Sequence, residues 1–158
     1  MSEKVFLDTT IFSYLFDSRS ELKEKIKITK EWWKNESHKY NLVTSNEVRF
    51  ELEKGNYSFK NKATRLCDKI PKLERTSNVE LIAKYYIKNF LMPNDLEGDA
   101  IHVAISSFHE VDFLLSWNIS HLANHNKRKQ IEVLNKKLGL KVPLIVTVYD
   151  IYKGWEKL

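Results

Sequence analysis

Lys4-Val5-Phe6-Leu7-Asp8 decides the fold of this chain. Val5, Phe6 and Leu7 form an unbroken apolar run instead of an alternation, the form of a parallel strand buried on both faces, and Asp8 closes it at the carboxyl end. Similar runs follow at Leu42-Val43-Thr44, at Asp112 to Ser116 around Phe113-Leu114-Leu115, and at Leu144 to Val148. The stretches between them read as helices. Ser20 to about Ser37 is amphipathic, with Ser20 as candidate N-cap, and Ser45 can cap a helix through Leu52 that ends at Gly55. Ser58 to Ile70, closed by Pro71, and Ser77 to about Phe90, ending before Pro93, follow. Asn94 can cap a long helix through His109, Ala123 to Leu138 is stopped by Gly139, and a short C-terminal helix carries Trp155. Strands alternating with helices predict an α/β fold with a mainly parallel sheet.

The 158 residues, 42% of them apolar, are about the length of one compact domain, so a single domain over residues 1–158 is expected. Lys and Arg outnumber Asp and Glu by 26 to 21. The excess gathers at Asn126-Lys127-Arg128-Lys129, Lys136-Lys137, and the lysines from Lys23 to Lys34 around Trp32-Trp33, stretches suited to a phosphate backbone. Cys67 stands alone, which excludes an intrachain disulfide and a cysteine-built zinc site, and is expected as a small buried hydrophobe. No apolar run approaches the roughly 20 residues that cross a bilayer. Met1-Ser2-Glu3-Lys4 leads straight into the first strand, so no membrane contact and a cytoplasmic location are expected.

In an open parallel sheet, functional groups gather at the carboxyl ends of the strands, near the point where strand order reverses. Asp8 ends the first strand, Ser116 and Asn118 end the strand after the long helix, and Asp99 is expected about one turn inside that helix. Glu51 follows Glu47 by four residues on the helix leaving the second strand, so the two share a face, and Asp95 and Asp99 have the same spacing. Two carboxylates about 5 Å apart at an effective dielectric near 20 repel by on the order of 3 kcal/mol, so three together call for a cation. Oxygen ligands of this kind suit Mg²⁺ or Mn²⁺. Such an ion can orient a water and neutralise charge on a scissile phosphate, which hydrolyses a phosphodiester without a covalent nucleophile.

These residues carry a resemblance to the PIN-domain family. Phe6-Leu7-Asp8-Thr9-Thr10 resembles its opening motif, an acid after an apolar strand followed by Ser, Thr or Asn. Thr44-Ser45, with Glu51-Leu52 and then Gly55, is similar to the second motif and singles out Glu51 over Glu47. Asp99-Ala100-Ile101-His102-Val103-Ala104 resembles the helix start that bears the third acid. Leu114-Leu115-Ser116-Trp117-Asn118 resembles the fourth motif, and with Ile119-Ser120-His121-Leu122-Ala123-Asn124 it looks most like VapC-type toxins that carry Trp-Asn there. The resemblance implies a three-layer α/β/α sandwich and a ribonuclease serving as the toxin of a toxin-antitoxin pair. It further implies Asp8, Glu51 and Asp99 as ligands of Mg²⁺ or Mn²⁺ with Asn118 completing the site, an RNA substrate, a homodimer, and a small antitoxin whose C-terminal segment covers the groove. Asn118 departs from the usual Asp; it removes a charge and points to one well-bound ion instead of two.

Each residue also has a plainer role open to it. Asp8 can bond its own turn, Asp99 can answer the helix dipole, Glu51 can pair with Arg49 or Lys54, and Asn118 can cap the next helix. Thr10 and Ser116 either position Asp8 or a metal water, or satisfy local backbone. Asp95 and Glu47 are supporting candidates or ordinary charged helix residues. His102 is expected in packing or in support of the acids, and Trp32-Trp33 either stack on RNA, receive a partner helix or belong to the core. Two rival readings exist: an RNA-binding module whose turnover Asn118 has cost, and a haloacid-dehalogenase-like phosphatase. The latter needs a second aspartate where Thr10 stands.

Overall fold

The computed structural model describes residues 2–89, 98–120, 122 and 124–154. Strand β1 (Lys4–Leu7) lies at the centre of a five-stranded sheet with β2 (Asn41–Ser45), β3 (Lys72–Leu73), β4 (Phe113–Leu115) and β5 (Leu144–Val146), in the order β3-β2-β1-β4-β5. Every pairing is parallel, with Phe6 opposite Val43 on one side and Leu114 on the other. Val5, Phe6, Leu7, Leu114 and Leu115 are wholly buried, which explains why these strands read as continuous apolar runs. An α/β/α sandwich results.

Among the described residues seven α-helices lie between the strands, α1 (Thr9–Tyr14), α2 (Lys23–Asn35), α3 (Asn46–Lys54), α4 (Lys60–Asp68), α5 (Ser77–Lys88), α6 (Asp99–Phe108) and α7 (His125–Leu138), and α8 (Val148–Ile151) follows the last strand. Parallel crossovers are right-handed, so the helices leading outward to β2 and β3 cover one face, and those leading to β4 and β5 on the other side of β1 cover the opposite face. One face is built on contacts among α1, α2, α3 and α4, while α5 packs along α6. Under the second helical layer, Tyr86 of α5 donates to Asn135 Oδ1 of α7 at 2.5 Å, and Asn135 Nδ2 donates to Ser107 Oγ of α6 at 2.9 Å.

Several local expectations need correction. Ser20 begins a 3₁₀ turn (Ser20–Leu22) and caps nothing, because α2 starts only at Lys23. Helix α5 starts at Ser77 as expected, with Thr76 as its cap accepting from Val79 N. Val148 opens α8 instead of ending β5, since Thr147 and Asp150 form a reciprocal cap there. Asp99 is the first residue of α6, with Gly98 before it, and not a turn inside a longer helix. Helix α1 and strand β3 were not foreseen. The Asn94 cap, Asp95 and Trp155 lie outside the described residues. Trp32 is wholly buried in the core, and Trp33, partly buried, packs against it. Cys67 is buried and unpaired, as expected. No helix among the described residues is long and apolar enough to cross a membrane.

Candidate active site

Strand order reverses between β1 and β4, and Asp8 stands at the carboxyl end of β1 beside that point. Its side chain serves first as the N-cap of α1, accepting from Thr10 N at 2.9 Å. The Thr10 hydroxyl donates to the same oxygen at 2.5 Å, and Ser116 Oγ, just past β4, donates to the other. Both hydroxyls are held in turn: Trp117 N donates to Thr10 Oγ1 at 2.8 Å and Asn118 N to Ser116 Oγ at 2.9 Å. Asp8 is 4% exposed, and burial pushes its carboxyl up to about 6 despite the hydrogen bonds of Ser116 and Thr10 and the charge of His102, with the charge of Glu51 adding to the rise.

Glu51 reaches this edge because Ser45, at the end of β2, caps α3 through Val48 N and aims the helix away from the sheet. Thr9 Oγ1 donates to Glu51 Oε2 at 2.6 Å, and His102 Nε2 hydrogen-bonds Glu51 Oε1. Burial opposes ionisation of Glu51, but the bond and charge of His102 and the Thr9 hydroxyl outweigh it and hold its carboxyl below the ordinary value. Burial likewise opposes the His102 cation, yet Glu51 first, then the charges of Asp8 and Asp99, push the imidazole above its usual value. His102 therefore sits in the field of all three acids. Its Nδ1 is buried without a partner.

Asp99, as the first residue of α6, has its carboxylate at the positive end of the helix dipole. Asn118 Nδ2 lies 3.4 and 3.3 Å from its two oxygens, so the Asn118 side chain turns toward Asp99. Trp117 fixes that placement. Its ring is 4% exposed, stacks on Tyr14 at 5.8 Å and donates Nε1 to Thr29 Oγ1 at 2.8 Å, which anchors the segment after β4 in α1 and α2.

Of the supporting candidates, Thr10 and Ser116 hold Asp8, whereas Glu47 points elsewhere, 3.8 Å from Arg75. Arg49, the plainer partner for Glu51, is engaged instead by Glu53 and Asp68. Thr9 was not singled out in the sequence, although its place beside the first acid in a new helix is the signal that could have found it.

The donor chemistry fits a hard divalent cation: three carboxylates at one strand edge, one of them buried with its charge unmatched by any direct cationic partner. As the side chains stand, each acid faces a protein donor, and among the described residues no three His, Cys, Asp or Glu side chains form a ready cluster for an ion.

No family model matches the sequence, and no curated protein matches it. The fold is nevertheless shared with solved structures. VapC20 of Mycobacterium tuberculosis, a toxin that cleaves the sarcin-ricin loop, aligns with a TM-score of 0.55 at 15% identity, over 75% of this chain and 93% of VapC20. VapBC2 of Rickettsia felis, solved bound to a DNA fragment from their promoter, aligns with a TM-score of 0.51 at 10% identity, over 91% of this chain and 98% of the other. The architecture is thus PIN-like.

Proposed function

We propose that this chain is a metal-dependent endoribonuclease of the VapC type, the toxin of a toxin-antitoxin pair acting in the cytoplasm. The observation that carries the reading is that Asp8, Glu51, Asp99 and Asn118, drawn from four separate elements, are linked at the reversal in strand order through Ser116 and the field of His102. The likeness in fold to VapC20 supports it.

Asp8, Glu51 and Asp99 would hold Mg²⁺ or Mn²⁺, which supplies an activated water and neutralises charge on the scissile phosphate. The chain's own residues prepare that site. Ser116 and Thr10 hold the Asp8 carboxylate, Thr9 and His102 hold Glu51, and Asn118 faces Asp99, and the three carboxylates would be drawn together around an ion from these held positions. The basic faces of α2 and α7 carry the RNA backbone. A homodimer and a small antitoxin that covers the acid edge with a basic side chain complete the proposal.

The test is cleavage of a mixed tRNA and rRNA pool by purified protein with Mn²⁺. Cuts that vanish with EDTA and in Asp99→Asn are expected. Retention of each acid by a protein donor favours the second reading, an RNA-binding module, and RNA binding without cleavage in Mn²⁺ would establish it.

A further inference from the structure

A cavity of about 460 Å³ opens beside the acid edge, between Ser13, Asp17 and Arg19 on one wall and Tyr57, Ser58 and Phe59 on the other. Both walls start at the site already described. Thr9 and Ser13 are spaced by four on one face of α1, and Asp17 N, just past the helix end, donates to Ser13 O at 3.0 Å, so this face leads from the partner of Glu51 to the cavity. A rise of 1.5 Å per residue places Ser13 about 6 Å from Thr9 along α1. The opposite wall is tied down where Tyr57 donates its hydroxyl to the carbonyl of Leu52, next to Glu51, at 2.6 Å.

The lining is specific in its chemistry. Asp17 is 2% exposed and binds Arg19 through Nε at 2.9 Å and Nη2 at 2.6 Å, which locks the guanidinium plane at the rim and cancels its charge. Tyr57 and Phe59 meet with ring centroids 4.6 Å apart. A phosphate would need an uncompensated cation here, whereas a planar base with polar edges finds aromatic faces, a guanidinium plane and serine hydroxyls. The volume lies within the roughly 300–1,000 Å³ of small-molecule sites.

We infer that this cavity holds a nucleobase of the RNA strand, a nucleotide or so from the scissile phosphate, and that it sets base preference; the inference rests on the nuclease reading above. Gly55 controls the pocket. A methyl group there would meet Tyr57 Cε1 at 2.6 Å and Cδ1 at 2.7 Å, so Gly55→Ala displaces the ring without deleting it. Its φ of −76° accepts alanine.

The experiment measures fluorescence anisotropy of labelled oligoadenylate, oligouridylate and oligocytidylate with Tyr57→Ala, Phe59→Ala and Gly55→Ala, each in the Asp99→Asn background, with folding checked by circular dichroism. Loss of a stacked base weakens binding by roughly 5- to 150-fold. The expected result is such a loss for the preferred oligomer and a smaller one for the others, so the ranking flattens. In cleaving protein the same changes raise KM more than they lower kcat. Unchanged affinity and ranking in folded variants overturn the inference, including the case in which the cavity receives a peptide. If the unsubstituted protein cuts no RNA but the ranking still flattens, the nuclease reading fails while the base pocket stands.

Discussion

Asp8 caps α1 and anchors the acid edge with one carboxylate, and its burial sets the pH behaviour of the site. A carboxyl raised from 3.8 to about 6 on folding favours the protonated native state. Its contribution to stability is complete below the unfolded value and is lost as pH rises through about 6, a change on the order of 3 kcal/mol. Glu51 behaves oppositely: its lowered value stabilises the fold above the ordinary carboxyl range and is lost toward strong acid. On the nuclease reading, metal would compete with the proton on Asp8. Mn²⁺ affinity, followed by electron paramagnetic resonance, is expected to fall about tenfold per pH unit below about 6 and to level off above it; a flat profile from pH 5 to 7 would remove Asp8 from the metal site. Asn118→Asp replaces the amide donor facing Asp99 by a like charge. That variant should melt lower without metal and bind Mn²⁺ more tightly, and calorimetry with and without the ion would detect failure of either change. His102→Ala leaves burial of Glu51 opposed mainly by Thr9, so the Glu51 carboxyl should titrate higher, as read by carbon-13 NMR.

At the scale of elements, the hydrogen-bonded triad of Tyr86, Ser107 and Asn135 joins α5, α6 and α7 in a buried layer. Asn135→Leu strips the Tyr86 hydroxyl of its acceptor and should cost on the order of 2 kcal/mol in urea denaturation. Elements with strong local signals were legible from sequence. The run Val5-Phe6-Leu7 marked β1, Ser45 and Gly55 bracketed α3, and Gly139, at φ +69°, ended α7 where only a residue at ease in the left-handed region does so freely. Short elements were not. Helix α1 has six residues and β3 two, so tertiary contact and not propensity forms them. Asp8 looked like a strand end because its capping of α1 is invisible until the helix exists.

Over the whole molecule, the strand-end acids were readable because a parallel sheet gathers strand ends on one edge. Of their keepers, Thr10 and Ser116 were readable beside Asp8 and His102 as a support of the acids, but Thr9 and the choice of Glu51 as the partner of His102 were not, since that contact depends on how α6 meets α3, which no spacing within either helix encodes. The sheet order has a further consequence in time. β1 is made first yet lies in the middle, and it waits for β2 on one side and for β4, more than a hundred residues after its start, on the other. Such non-local pairing folds slowly. A chain halted before Phe113 lacks Ser116, Trp117 and Asn118 and leaves Asp8 and Asp99 without the partners those residues provide. On the nuclease reading, stalled nascent chains ending there should cut no RNA.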